Sequence, residues 1–157
     1  TAYPDQVHHI ESILGKKPLR GQTDLVVDAT GVGRPIVDMM KRRGLRPRSI
    51  WITGGDAVQQ DGFEYRVPKR ELASAVQAHL QSGTLRFADG LRYGLLLKEE
   101  LKNFRVKVNI ATGHDRYEHH REGQHDDLVL ALAMGVWYGD RQGMPWSAFP
   151  CIKASVN

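Results

Sequence analysis

The run from Asp24 to Thr53 limits the possible folds more than any other part of the chain. Asp24-Leu25-Val26-Val27-Asp28-Ala29-Thr30 is short and rich in β-forming residues, the composition of a buried strand. Gly31-Val32-Gly33 supplies a turn. Pro35 suits a first helical turn, and Ile36, Val37, Met39 and Met40 carry a helix forward. Gly44 reads as the C-cap of that helix, and Ser49-Ile50-Trp51-Ile52-Thr53 as a second strand ended by Gly54-Gly55. The two strands of such a β-α-β unit are parallel neighbours, because the intervening helix returns the chain to the end from which it started. The expected class is therefore α/β. Sites in open α/β sheets form outside the carboxyl ends of strands, which is where Asp28 falls. Its structural alternative is a turn former at the strand end.

The remaining elements follow from periodicity. Val7, Ile10, Ile13 and Leu14 predict an amphipathic helix over Tyr3–Leu14 with His8 and His9 on its surface, ended by Gly15 and Pro18. Asp56 to Gly62 reads as a polar loop and Phe63 to Val67 as a short extended piece. Pro68 opens a helix carrying Leu72, Val76 and Leu80 and closed by Gly83. Thr84–Phe87 reads as a strand. Leu91–Phe104 reads as a helix with Leu95, Leu96, Leu97, Leu101 and Phe104 as its buried stripe, and Arg105–Ile110 as a half-exposed strand. Gly113 to Gln124 is a polar loop, and the apolar run from Leu128 to Trp137 a further helix. The segment after it, rich in Gly, Pro and Ser, is expected to be weakly ordered. The expected organisation is thus one domain over 1–138 and a tail over 139–157.

At 157 residues the chain is long enough for a proper core, and 41% apolar with 25% charged residues suits a globular protein. Its longest apolar run is too short to span a bilayer, and no signal peptide is recognisable. The single cysteine, Cys151, excludes an internal disulfide, is compatible with a reducing cytosol, and lies in the tail, far in sequence from the acidic candidates. A net charge of +4 leans towards a polyanionic partner.

Asp126-Asp127 stands directly before the late apolar helix. One Asp there can cap free N–H groups and meet the positive end of the helix dipole. A cap needs only one side chain, whereas paired acids with no basic neighbour suit a divalent cation. Acids clustered with Asp28 would need such a cation to stay ionised together. Lys41-Arg42-Arg43-Gly44-Leu45-Arg46-Pro47-Arg48 holds five cations, the first three explained by the helix dipole and the last two open to phosphate. Lys69 and Arg70 open their helix, where the dipole favours acids, and this local misfit marks them as phosphate-binding candidates.

Other chemistries are less well supported. Gly31 and Gly33 lack the Gly-Lys-Ser/Thr of a P-loop and a full G-x-G-x-x-G. His114, His119, His120 and His125 match no structural zinc spacing and have no thiolate partners. No Gly-x-Ser-x-Gly elbow is present. Paired glycosidase acids remain possible in principle, but the basic balance favours phosphodiester chemistry.

DLVVDATGVGRP (Asp24–Pro35), VPKREL (Val67–Leu72), ELKNFRVKV (Glu100–Val108) and HDDLVLALA (His125–Ala133), in that order and spacing, resemble the C-terminal nuclease domain of the large terminase subunit of tailed bacteriophages and prophages. The likeness runs from about Tyr3 to Trp137, and DATGVG together with HDDLVLALA is its most specific part. The resemblance implies a ribonuclease H-like mixed β-sheet flanked by helices. It also implies a Mg²⁺- or Mn²⁺-dependent endodeoxyribonuclease that cuts concatemeric double-stranded DNA with two ions. Carried over by position, Asp28 is the second acidic metal ligand and Asp126 or Asp127 the third, the choice between the last two staying open. His125 is expected to orient a carboxylate or touch phosphate, and Lys69, Arg70 and Arg116 to hold the DNA backbone. The small terminase subunit and the portal protein are the implied partners and host cytoplasm the implied location, with no membrane involved. In the family, the first metal-binding aspartate lies on an earlier strand that precedes the match to Tyr3. The chain, which starts with Thr, is therefore expected to be an N-terminally truncated fragment, also without the motor ATPase domain, whose activity suffers from the absent ligand. Two alternatives stand beside this expectation: a non-catalytic DNA-binding or assembly module of a packaging motor, and a nucleotide-binding domain built on Gly31 and Gly33.

Overall fold

The computed structural model describes residues 2–31, 33–104, 126–143 and 145. The expected strand Arg105–Ile110, the polar loop Gly113–Gln124 and most of the tail lie outside the described residues. The chain gathers into two compact units, the first formed by Thr1–Thr53 with Ala57–Val67 and the second by Gly54–Asp56 with Pro68–Asn157.

The first unit contains α1 (Tyr3–Leu14), β1 (Val26–Asp28), α2 (Gly33–Arg42), β2 (Arg48–Thr53), β3 (Gln59–Asp61) and β4 (Glu64–Pro68), the last of these ending one residue into the second unit. The strands form a mixed sheet in the order β1-β2-β4-β3. β1 and β2 are parallel, with Val26 opposite Arg48 and Asp28 opposite Ile50, as the β-α-β pattern requires. β3 and β4 form an antiparallel hairpin in which Gln59 faces Arg66. β3 falls within the segment Asp56–Gly62 expected as a polar loop. Its Gln-Gln-Asp is exposed throughout and has no apolar alternation, so it pairs through its backbone across a turn at Gly62.

Ile36, Val37 and Met40 share one face of α2 and form a core with Val7 of α1 and Ala29. Ile10, Leu25, Val27, Met39, Leu45 and Trp51 pack around it. Met40 is almost fully buried, a burial that stabilises by about 2–3 kcal/mol. α2 ends in a Schellman motif: Gly44, at φ +80°, donates to the carbonyl of Lys41, and Leu45 donates to that of Met40.

Among its described residues the second unit is helical: α3 (Lys69–Gln81), α4 (Gly94–Asn103) and α5 (Asp127–Arg141). α5 packs against both α3 and α4. It buries Val129, Ala133, Met134, Val136, Trp137 and Tyr138, more than one face of the helix, as its nearly unbroken apolar sequence demands. It runs to Arg141, so the first residues after 138 are helical. His79 ties the far ends of α3 and α5 together, with Nδ1 2.6 Å from the Thr84 hydroxyl and Nε2 2.8 Å from Asp140.

Two expectations for this unit fail. Thr84–Phe87 forms no strand; instead the Thr84 hydroxyl bonds His79 and Ser82, and the Leu85 N–H bonds the His79 carbonyl, closing the end of α3. α4 starts at Gly94 rather than Leu91, and its buried face is set by Leu97 and Glu100. Leu95 and Leu96 are exposed, the former by 84%. The three consecutive leucines, Leu95, Leu96 and Leu97, leave the helical phase undetermined locally, and packing against α5 selects Leu97. Among the described residues, no helix is long and apolar enough to cross a membrane.

Candidate functional site

Asp28 is the last residue of β1, half-buried, at the carboxyl end of the parallel pair. Its Oδ1 accepts the Thr30 N–H at 2.8 Å, an Asx turn that starts the connection to α2. The Thr30 hydroxyl in turn accepts the Ile52 N–H at 2.7 Å, tying the turn to β2. Gly33, at φ +67°, gives the backbone a conformation that L side chains rarely adopt at the first residue of α2, and its N–H donates to the Ala29 carbonyl at 3.1 Å. Asp28 therefore does form a turn, through one carboxylate oxygen. The other oxygen makes no hydrogen bond among the described residues. The bond from Thr30 holds the side chain in one orientation, as outer-shell hydrogen bonds do for carboxylates that bind metals.

Asp126 and Asp127 stand where the second unit starts α5. Asp126 occupies the N-cap position, yet its side chain makes no capping bond. The cap comes from Glu100 of α4, whose Oε2 accepts the N–H groups of both Leu128 and Val129 at 2.9 Å. Glu100 is only 6% exposed. A buried carboxylate is tolerated there because two helix-terminal N–H groups and the positive end of the macrodipole stabilise its charge, by up to ~2 kcal/mol for the dipole contribution. Sequence reasoning missed this residue. The signal was available, since Glu100 lies in helical phase with Leu97, Leu101 and Phe104 on what would otherwise be an apolar stripe.

With the cap supplied from elsewhere, the two aspartates take different surroundings. Asp126 Oδ2 accepts from Lys69 Nζ at 3.2 Å, and the same ammonium lies 5.1 Å from the centre of the Phe104 ring. Asp127 is exposed, and its side chain makes no hydrogen bond or ion pair among the described residues. Arg70 donates to the Asp56 carboxylate at 2.9 Å and to the Asp56 carbonyl at 2.6 Å. The misfit of two cations at the start of α3 is thus relieved by tertiary contacts: each reaches an acid within its own unit. Arg116 and His125 lie outside the described residues.

Asp28 belongs to the first unit and Asp126 and Asp127 to the second. Among the described residues no three His, Cys, Asp or Glu side chains are grouped as a metal site. Each of the three candidates offers carboxylate oxygens, donors that suit hard divalent ions better than soft ones. An open depression of about 520 Å³ in the first unit is lined by Arg34, Trp51, Thr53, Gln59, Glu64 and Arg66 among others. None of the expected site residues lines it.

The chain is thus an α/β protein with a mixed four-stranded sheet, an aspartate at the carboxyl end of its first strand and two more at the start of its last described helix. Compared with protein-family models, curated proteins and solved structures, it matches none.

Proposed function

We propose that this chain is the metal-dependent endonuclease domain of a phage-type DNA-packaging terminase, with a ribonuclease H-like fold. One observation carries the reading most directly. Glu100 caps α5, so capping does not explain why two adjacent aspartates stand at its start. Asp28, at a strand end where α/β sheets carry their sites and with one oxygen held by Thr30, supports it further. Asp28 and Asp127, with Asp126 assisting, would hold Mg²⁺ or Mn²⁺. The bound ions would activate a water and neutralise charge at the leaving oxygen of a DNA phosphodiester. The chain's own residues then orient: Thr30 fixes the Asp28 carboxylate and Glu100 fixes the start of α5, while Lys69 pairs with Asp126 and competes there with a cation.

The test is a Mn²⁺ titration by calorimetry of the chain and of Asp28→Ala and Asp127→Ala, with nicking of supercoiled plasmid as a second readout. Saturable binding weakened about 10- to 100-fold by each substitution is expected. Binding indifferent to both would end the reading. A second reading, a non-catalytic DNA-binding or assembly module, is favoured by the Lys69–Asp126 pair, which already neutralises one of the acids without a metal. DNA binding that survives Asp28→Ala, in a chain that binds no Mn²⁺, would select it.

A further inference from the structure

Two acid-free segments of the first unit carry most of its cations. Gly15–Thr23 holds Lys16, Lys17 and Arg20, and Lys41–Arg48 holds five more. Three of these eight are paired: Lys41 with Glu64 at 3.4 Å, Arg43 with Glu11 at 2.9 Å and Arg48 with Asp24 at 3.1 Å. Lys16, Lys17, Arg20, Arg42 and Arg46 are exposed, and their side chains make no ion pair among the described residues. The two segments together carry +8, and the remainder of the chain, with 14 Lys/Arg against 18 Asp/Glu, carries −4, so the net +4 is concentrated rather than spread.

The fold brings the two segments to one end of the unit. Each follows a helix and leads into a strand of the parallel pair: Gly15–Thr23 follows α1 and precedes β1, and Arg43–Pro47 follows α2 and precedes β2. The Arg43–Glu11 bond ties the end of α2 to the last turns of α1. The Arg48–Asp24 pair, the bond from the Arg48 N–H to the Leu25 carbonyl at 2.7 Å and the Val26–Arg48 register tie the two strand entrances together. Parallel strands place these entrances at the amino end of the pair, opposite the carboxyl end that carries Asp28.

We infer that this amino-end corner is a second contact surface for the DNA backbone, on the opposite side of the parallel pair from Asp28. The inference rests on the endonuclease reading for its choice of partner. Packed helices lie about 8–10 Å apart. A corner made from the ends of two such helices is wide enough to meet more than one phosphate of a DNA backbone. A lipid surface suits it less well, because membrane-surface binding draws on a buried apolar face as well as cations, and Leu19 is the one large apolar side chain exposed within the two segments. The cations that the sequence singled out for phosphate contact, Lys69 and Arg70, are engaged with Asp126 and Asp56. Of those that complement the dipole of α2, Arg42 is exposed and unpaired among the described residues.

The experiment is fluorescence anisotropy of a labelled 30-base-pair DNA duplex with the full chain across a salt series. It compares the parent with Lys16→Gln/Lys17→Gln/Arg20→Gln and with Arg42→Gln/Arg46→Gln, each checked for an unchanged urea midpoint. Each phosphate contact contributes about 0.9 to the slope of log K against log salt. Either variant should flatten that slope, by about 1 to 3 depending on the contacts removed, and weaken binding severalfold at low salt. Two separate variants keep the test alive if one fails to fold. Unchanged slope and affinity in both would overturn the inference. So would stronger retention on vesicles of phosphatidylserine and phosphatidylcholine than on DNA, lost in the same variants. Mn²⁺ titration of the same proteins separates the two ideas. Lost DNA binding with intact Mn²⁺ binding supports the corner and leaves the metal reading standing. Intact DNA binding with Mn²⁺ binding lost in Asp28→Ala sinks the corner alone. Corner-dependent DNA binding by a chain that never binds Mn²⁺ sinks the nuclease reading alone.

Discussion

Glu100 of α4 accepts the N–H of Val129 in α5 through a 2.9 Å hydrogen bond, and the same carboxylate oxygen also accepts the N–H of Leu128. One buried acid thus does the work that the neighbouring Asp126 and Asp127 would do in an ordinary N-cap. Glu100→Ala would leave two helix-terminal donors without a partner in a half-dry site. A loss of about 2–3 kcal/mol is expected in urea unfolding. Asp127→Asn should cost under about 1 kcal/mol, the scale of an exposed charge–dipole interaction. If Asp127→Asn were the more damaging of the two, the division of labour described for the start of α5 would be wrong.

The Lys69 ammonium sits 3.2 Å from Asp126 Oδ2, where it opposes any cation that Asp126 ligates. A unit charge at about 4 Å is worth about 4 kcal/mol at an effective dielectric near 20, and partial exposure leaves a fraction of that. Lys69→Met keeps an unbranched side chain of similar length and removes the charge. If Asp126 is a ligand, Mn²⁺ affinity should rise about tenfold or more. If Asp127 alone serves, affinity should change by less than about threefold. Calorimetric titration of the two proteins therefore assigns the ligand that the sequence leaves open.

Leu95 and Leu97 belong to one run of leucines but stand about 200° apart around the helix, and the first is 84% exposed and the second 9%. Leu95→Ser should change stability by no more than about 0.5 kcal/mol, while Leu97→Ala should cost about 2–3 kcal/mol. Urea midpoints of the two variants check the phase of α4 directly.

Gly44 holds φ +80° inside the Schellman motif that ends α2. A Cβ there meets no neighbour within 4 Å, so the penalty of Gly44→Ala is conformational alone, about 1 kcal/mol. Thermal unfolding should register it as a shift of a few degrees. A neutral result would mean that the turn relaxes.

The β-α-β unit was legible because strand composition, a glycine turn and a helical period follow one another without interruption from Asp24 to Thr53. The parallel register follows from that order, and the position of Asp28 at the carboxyl end of β1 follows with it. α1 was equally plain: its four apolar positions fit a single helical face, and the observed helix covers Tyr3–Leu14 as expected. β3 was invisible, because three polar residues that pair only through backbone carry no side-chain signal. The supposed strand Thr84–Phe87 shows the converse. Its β-formers are used to close α3 around His79.

The local chemistry of the candidate site was also written in the chain: which acids stand at element ends, and which cations lack a local explanation. What only the tertiary structure decided is how those charges are matched. Glu100 reaches α5 from 28 residues away, Lys69 reaches Asp126 from 57, and Arg70 reaches Asp56 from 14. Propensity and periodicity act over a few residues, so they can specify a helix and its ends. The partner of a charged group depends on which side chains packing brings within a few ångströms, and a pattern with a period of 3.6 or 2 residues carries no record of that.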